Sequence, residues 1–120
     1  MKTILIVDDL ASVRFYHKML VSQAGFTALT AADGMEALAV LEKNPIDLVI
    51  LDLLMPRMSG AEFLVRARAS KRYDGLPVLV ISSEAQKEIT ATMATSGNCE
   101  ILKKPILPDA LMAAIHRLIG

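Results

Sequence analysis

Carboxylate side chains directly follow two strongly apolar runs of this sequence. Asp8 and Asp9 come after the first run, and Asp52 comes after a later one. If both runs are strands of one parallel sheet, their carboxyl ends lie at the same edge, and the three carboxylates would share a small volume. Like charges this close cannot all stay ionised unless a positive charge lies between them. A hard divalent cation meets this need, and Mg²⁺ suits a site with few protein carboxylates and several waters.

Hydroxyl and ammonium groups follow two further apolar runs. Ser82 and Ser83 come after one, and Lys103 and Lys104 come after the last. A lysine ammonium would add a second positive charge and a phosphate contact, and a serine hydroxyl would add a hydrogen bond. Phosphoryl transfer depends on charge neutralisation and positioning of this kind, and a carboxylate can itself be the nucleophile, giving an acyl phosphate. These residues predict a phosphoryl-transfer site.

The apolar runs that would position these groups are short and continuous, which is typical of strands buried on both faces of a parallel sheet. Four strong runs cover residues 4–7, 48–51, 78–81 and 101–102, and a weaker, alternating run at 27–30 suits a sheet edge. A segment with helical spacing follows each run. This alternation predicts an α/β fold with a parallel sheet, right-handed crossovers and helices on both faces.

The five predicted helices are marked by apolar residues three or four positions apart. They are Val13, Tyr16, Leu20 and Ala24; Met35, Leu38 and Leu41; Phe63, Leu64 and Ala67; Ile89 and Met93; and Leu111, Ala114, Ile115 and Leu118. Gly25 is placed to end the first helix. Asp33, with Glu36 three residues later, predicts the N-cap of the second, and Ser59 predicts the start of the third.

Composition and length narrow the class of protein. The 120 residues match one domain, and 13 basic against 13 acidic side chains leave no net charge, which disfavours direct binding to nucleic acid. A single cysteine, Cys99, excludes an internal disulfide framework. No apolar run approaches the roughly 20 residues that span a bilayer, and no cleavable signal segment is evident. We expect one cytoplasmic domain with an aliphatic core and no membrane partner.

Three motifs resemble those of two-component response-regulator receiver domains, the CheY-like family. They are ILIVDD at residues 4–9, DLLMPRMSG at residues 52–60, and Lys104 followed by Pro105. The resemblance covers essentially the whole chain at matching spacing, so residues 1–120 are expected to form one receiver domain. It implies a flavodoxin-like (βα)5 doubly wound fold with strand order 2-1-3-4-5, an order for which CheY itself is a standard example.

The resemblance also implies a role for each acid. Asp52 would be the phosphoacceptor. Asp9 would bind Mg²⁺, the implied cofactor, directly, and Asp8 would assist, commonly through water. The backbone carbonyl of Leu54 would complete the metal shell together with Asp52. Many chemotaxis members have a polar side chain where this sequence has Leu54, at a position beside the attacking water, so the lifetime of the phosphorylated state is left open.

Residues on the other side of the implied site would contact the phosphoryl group. The resemblance assigns this contact to Ser82, to Lys104 and to the backbone N–H of Ser83. In the family the bond between the lysine and the following proline is typically cis, and Gly60 matches the glycine that closes the loop after the acceptor strand. Family members often couple movement of the Ser/Thr to an aromatic rotamer, but here Ile101 takes the aromatic position, so Ser82 and Ile101 are the switch candidates.

The implied function is a signalling switch and not an enzyme beyond self-catalysed phosphoryl transfer and slow autodephosphorylation. A partner histidine kinase or histidine phosphotransfer protein would supply the phosphoryl group. A downstream protein target would bind the face formed by the fourth helix, fifth strand and fifth helix. The exposed part of that face is expected to include Ala110, Ala113, His116 and Arg117. The receiver would be a monomer or a phosphorylation-dependent dimer.

Two other functions remain open on sequence alone. A Mg²⁺-dependent aspartyl-phosphate phosphotransferase of the haloacid-dehalogenase type requires Asp-x-Asp after its first strand, where this chain has Asp8-Asp9-Leu10. A receiver-like interaction module would signal without phosphorylation. The sequence also leaves open whether the domain acts alone or belongs to a longer regulator.

Several other polar residues have ordinary structural explanations. His17 and His116 lie on predicted helices without partners at ligand spacing, so we expect both at the surface and neither in a phosphorelay. Lys103 is expected to face solvent. The basic residues within 66–72 fit a solvated helix end.

Overall fold

A computed structural model describes residues 1–53, 55, 57–83 and 98–120. The described residues form five strands and four helices. The strands are β1 Thr3–Val7, β2 Thr27–Ala31, β3 Leu48–Asp52, β4 Val78–Ser82 and β5 Cys99–Lys103. The helices are α1 Ala11–Gln23, α2 Gly34–Lys43, α3 Gly60–Arg68 and α4 Pro108–Ile119, which is the fifth predicted helix. The fourth predicted helix, around Ile89 and Met93, lies outside the described residues.

All the strands pair in parallel in the order β2-β1-β3-β4-β5, which confirms the predicted fold and the edge position of β2. The strand order reverses between β1 and β3, and in open α/β sheets this point creates a crevice at the carboxyl ends. Val7 pairs with Leu51 in the register of these two strands. The residues that follow, Asp8 and Asp52, are therefore brought to the crevice side by side.

Two aliphatic clusters cover the two faces of the sheet. The first packs α2 and α3 against alternate strand residues and includes Leu5, Val7, Val49, Leu51, Val78 and Val80. The second packs α1 and α4 against the others and includes Ile4, Ile6, Leu48, Ile50, Leu79 and Ile81. The strands are continuously apolar because both faces are covered. Among the helices of the described ranges, none has the length and apolarity that a membrane crossing needs.

The predicted helix ends are confirmed by their hydrogen bonds. Gly25 adopts φ 95°, a left-handed conformation that favours glycine, directly after the last turn of α1. The Asp33 carboxylate accepts the backbone N–H of Glu36 at 2.9 Å and begins α2. The Ser59 hydroxyl accepts the N–H of Glu62 at 3.2 Å and begins α3. These local patterns fix where each helix starts relative to the preceding strand.

The buried faces of two helices differ from the prediction. In α1 the buried residues are His17 and Val21, and Tyr16 is exposed. In α2 Met35 is exposed, whereas Ala37 is buried. The prediction that His17 lies at the surface is wrong, because His17 is four residues before Val21 and therefore shares its sheet-facing stripe. Apolar spacing identified the helices but not the stripe that faces the sheet.

Candidate functional site

Three carboxylates meet at the crevice between β1 and β3. Oxygen atoms of Asp8, Asp9 and Asp52 all lie within 4.8 Å of one another. Asp8 and Asp52 are buried, with 4% and 5% of their surfaces exposed, and Asp9 is exposed. The structure thus brings the three predicted acids together. Hard oxygen donors at this spacing fit a divalent cation such as Mg²⁺. The other predicted ligand, the Leu54 carbonyl, lies outside the described residues.

The surroundings of the two buried acids disfavour their negative charges. Burial raises the pKa of Asp52, the nearby Asp8 carboxylate raises it further, and the Lys104 ammonium acts in the opposite direction. Burial also raises the pKa of Asp8, although its Oδ1 accepts the backbone N–H of Leu10 at 2.9 Å. A cation among these oxygens would favour the charged forms and reverse both directions.

Lys104 reaches the acid cluster from the far side of β4. Its Nζ donates to Oδ1 of Asp52 at 3.3 Å. Its backbone N–H donates to the carbonyl of Ser82 at 2.7 Å, which fixes the start of the loop after β5. The bond between Lys104 and Pro105 is cis, as the family resemblance implied. The lysine ammonium therefore lies opposite the acids, beside the carboxylate assigned as phosphoacceptor.

The remaining predicted residues occupy the ends of β4 and β5. Ser82 is the last residue of β4 and is buried, and Ser83 follows it half-buried. Ile101 is half-buried in β5, where it pairs with Val80 and packs on the same core cluster. Because side chains alternate along a strand, Ser82 and Val80 share a sheet face, and Ile101 lies on it too. Lys103 is exposed, as predicted.

A glycine allows α3 to begin directly against the backbone of Asp52 and Leu53. The N–H of Gly60 donates to the carbonyl of Leu53 at 2.9 Å. A Cβ atom at Gly60 would lie 2.3 Å from the carbonyl oxygen of Asp52, which is closer than any side chain tolerates. This clash explains why the motif has a glycine at position 60. The glycine lets the loop fold back tightly behind Asp52.

Three residues near the site were missed by the sequence analysis. Arg14 donates from Nη1 to the backbone carbonyl of Asp8 at 2.7 Å. Arg57 adopts φ 63° in the loop after β3 and forms an ion pair with Asp33, with Nε 2.8 Å from Oδ2. No local pattern signals this pair, since its members are 24 residues apart. The third residue, His17, could have been found from its spacing to the buried stripe of α1.

Comparison with known proteins agrees with the fold. The model of the response regulator receiver domain family matches residues 4–116. The chemotaxis protein CheY-3 of Vibrio cholerae is 35% identical over 116 residues, covering 96% of this chain and 89% of the relative. The CAI-1 autoinducer sensor kinase/phosphatase CqsS of the same organism is 33% identical over 112 residues, which cover 92% of this chain but only 16% of the kinase.

The fold of the chain is also similar to that of a solved structure. The chemotaxis protein CheY4 of Vibrio cholerae superposes with a TM-score of 0.91 at 35% identity, covering 98% of each chain. A family match across nearly the whole chain, a relative of similar length and the shared strand order point to one conclusion. The chain belongs to the response-regulator receiver domain family, the phosphoacceptor signalling modules of two-component systems.

Proposed function

We propose that Asp52 accepts a phosphoryl group from a phosphohistidine on a partner histidine kinase or histidine phosphotransfer protein. One observation carries this assignment. The Asp52 carboxylate lies at the carboxyl end of the central strand β3, with Asp8 and Asp9 on one side and Lys104 Nζ at 3.3 Å on the other. Asp8 is also buried beside two acids and near Lys104, but it is Asp52 whose Oδ1 accepts the hydrogen bond from Lys104 Nζ.

The proposed reaction is a direct displacement at phosphorus. A carboxylate oxygen of Asp52 attacks the phosphorus atom while the bond from phosphorus to the donor imidazole nitrogen breaks. The nitrogen keeps the electron pair of that bond, and the product is an acyl phosphate on Asp52. The Lys104 ammonium would stabilise the negative charge on the phosphoryl oxygens, because it already contacts Asp52. The Ser82 hydroxyl and the Ser83 N–H would donate further hydrogen bonds.

The acid cluster is proposed to hold Mg²⁺. Asp9 and Asp52 would be direct ligands, Asp8 would assist through water, and the Leu54 carbonyl would complete the protein ligands. When bound, Mg²⁺ supplies the positive charge that offsets the carboxylates and the phosphoryl oxygens. Asp8 is already oriented by the N–H of Leu10, so one of its oxygens has a fixed direction before any metal binds.

The phosphoryl donor is proposed to dock beside the acid cluster on an apolar strip of α1. Leu10, Phe15 and Met19 are exposed large hydrophobic side chains in this part of the chain, with Phe15 71% exposed. Phe15 and Met19 are four residues apart and therefore share one face of the helix. Exposed apolar groups of this size on the helix that follows Asp8 and Asp9 favour a protein partner over a small ester substrate.

Phosphorylation is proposed to alter a second surface formed by β5 and α4, together with the predicted helix outside the described residues. The acyl phosphate adds close to two negative charges, which draw Ser82 and Lys104 toward it and bias an existing equilibrium. Ile101 would respond in place of the usual aromatic residue. On this surface Ala113 and His116 are exposed, Ala110 is half-buried, and Arg117 forms an ion pair with Glu100.

The remaining proposals concern the protein as a whole. We infer a single receiver domain over residues 1–120 that works in the cytoplasm, without direct contact to nucleic acid or membrane, as a monomer or a phosphorylation-dependent dimer. Its chemistry would be single phosphorylation and slow autodephosphorylation, not turnover of substrates. Sustained hydrolysis of small phosphate esters would favour the phosphotransferase instead.

The acceptor assignment is tested by intact-protein mass measurement after incubation with acetyl phosphate and Mg²⁺. The wild-type protein is expected to gain one phosphoryl group, and Asp52→Asn none. The matched control Asp74→Asn changes an exposed aspartate away from the cluster and should behave as wild type. Phosphorylation of Asp52→Asn under these conditions would refute the assignment. Partner capture with and without beryllofluoride then tests whether the modified state changes binding.

A further inference from the structure

A cavity of about 270 Å³ lies beside the acid cluster, between α1 and the segment after β5. Its walls are largely apolar and include Val13, Ile81 and Ile106. Small-molecule sites begin at roughly 300 Å³, and apolar cavities of about 150 Å³ already accommodate benzene. The cavity therefore has room for a molecule about the size of one or two rings.

A buried histidine lines this cavity. His17 is 3% exposed, and within residues 1–53, 55, 57–83 and 98–120 its ring nitrogens meet no hydrogen-bond partner. Its ring neighbour is Tyr16, with centroids 5.7 Å apart. Burial lowers the pKa of His17, the charge of Lys104 lowers it further and the charge of Asp52 acts in the opposite direction, so these surroundings favour the neutral ring. A neutral imidazole offers one donor and one acceptor, and buried polar groups are normally paired.

The charged groups of the cavity balance each other. Asp8 and Lys104 both line it, and their charged forms have opposite signs, so the lining has no excess of either charge. We propose that this cavity binds a small uncharged molecule with a compact ring or apolar body and one polar group that hydrogen-bonds His17. The body would pack on Val13, Ile81 and Ile106. Because the ligand would contact Lys104, it would lie next to the phosphoacceptor without replacing any group assigned to it.

The inference is tested with phenol as the probe, on the full chain without metal or phosphoryl donor, so the outcome does not depend on the proposed function. Titration is followed by NMR at the methyl groups of Ile81 and Ile106 and at the ring of His17. We expect saturable shifts and intermolecular NOEs from phenol to both isoleucines. His17→Leu should weaken phenol binding about fivefold or more, the equivalent of one lost hydrogen bond.

The matched control is His116→Leu, which removes the other, exposed histidine and should leave phenol affinity unchanged. If His17→Leu does not fold, Val13→Phe narrows the cavity one helical turn away on α1 and should abolish saturation. Linear shifts without saturation, NOEs to other parts of the surface, or equal affinity in wild type and His17→Leu would each overturn the proposal. Saturation with NOEs to the cavity and loss in the variants would support it.

Discussion

Two buried aspartates near the carboxyl ends of strands, Asp33 and Asp52, lie in opposite surroundings. Asp33 accepts the N–H of Glu36 and pairs with Arg57, and these contacts hold its pKa below the usual range. Asp52 is buried beside Asp8 with one long contact to Lys104, and its pKa is raised. Both carboxylates follow a strand and precede a helix. What separates them is whether their oxygens are already satisfied by the protein.

This difference separates structural acids from reactive ones. A carboxylate whose oxygens are occupied by a helix N-terminus and an arginine stabilises the fold and has little left to offer a ligand. A carboxylate crowded by another acid destabilises the metal-free fold and stays available to a cation or an electrophile. Substitutions at or beside Asp33 and Asp52 test this contrast.

The largest effect is expected from closing the space behind Asp52. Gly60→Ala places a methyl group 2.3 Å from the Asp52 carbonyl oxygen, where only backbone movement can make room. We expect a loss of about 3 kcal/mol in the free energy of unfolding, measured by urea denaturation, and slower phosphorylation by acetyl phosphate. The control Gly75→Ala meets no atom within 4 Å and should change stability by less than about 0.5 kcal/mol. Equal effects in the two variants would contradict the steric explanation.

A smaller loss of stability is expected from substitution of Asp33. Asp33→Ala removes the N-cap of α2 and the partner of Arg57, and should lower the free energy of unfolding by about 2 kcal/mol. Phosphorylation by acetyl phosphate should persist, since Asp33 is outside the acid cluster. The control Asp109→Ala removes an acid in the first turn of α4, a helix whose N-cap residue Leu107 makes no side-chain cap hydrogen bond. A loss of phosphorylation without a loss of stability would reverse the roles assigned to the two aspartates.

Substitution of Asp52, the proposed phosphoacceptor, should change the free energy of unfolding in the opposite direction. Asp52→Asn removes a buried charge beside Asp8, so in the absence of metal it should raise the free energy of unfolding by about 1 kcal/mol. Saturating Mg²⁺ should stabilise the wild type more than the variant and narrow this gap, because the cation stabilises the folded state that binds it. Calorimetric melting with Mg²⁺ or with EDTA measures both effects. If Asp52→Asn destabilised the metal-free protein, the proposed repulsion between the Asp52 and Asp8 carboxylates would be contradicted.

The acid cluster was predictable because it depends on local rules. Asp8 and Asp52 come directly after buried runs, and parallel pairing alone brings such residues to one edge. The same holds for the caps at Asp33 and Ser59, whose bonds span three residues. A lysine ammonium at this edge was also predictable from the end of the last apolar run, but the choice of Lys104 over Lys103 needed the family resemblance.

Other features depend on packing between distant segments. Arg57 meets Asp33 only because the loop after β3 folds against the start of α2, where the N–H of Gly34 donates to the carbonyl of Met58. His17 was misplaced because a histidine on a helix is ordinarily polar surface, and only the rotation of α1 on the sheet buries it. The spacing of apolar residues predicts that a helix forms. The rotation of that helix about its axis depends on how all the residues of its buried face pack on the sheet.

The smallest expected effect is on the pH dependence of stability, where Asp33 and Asp52 should differ. The lowered pKa of Asp33 means that its stabilising contribution is present above the unfolded value of about 3.8 and is lost as the pH falls through the folded pKa. The raised pKa of Asp52 means that its penalty is present at neutral pH and disappears as the pH falls toward 3.8.

As the pH is lowered from 7 without metal, the two stability differences should therefore decrease in a fixed order. The advantage of Asp52→Asn over wild type should disappear first, and the deficit of Asp33→Asn should shrink only at lower pH. Urea denaturation of the three proteins at half-unit pH steps measures both differences. If both changed over the same pH interval, the two carboxylates would have the same folded pKa, and the distinction between a satisfied and a crowded acid would fail.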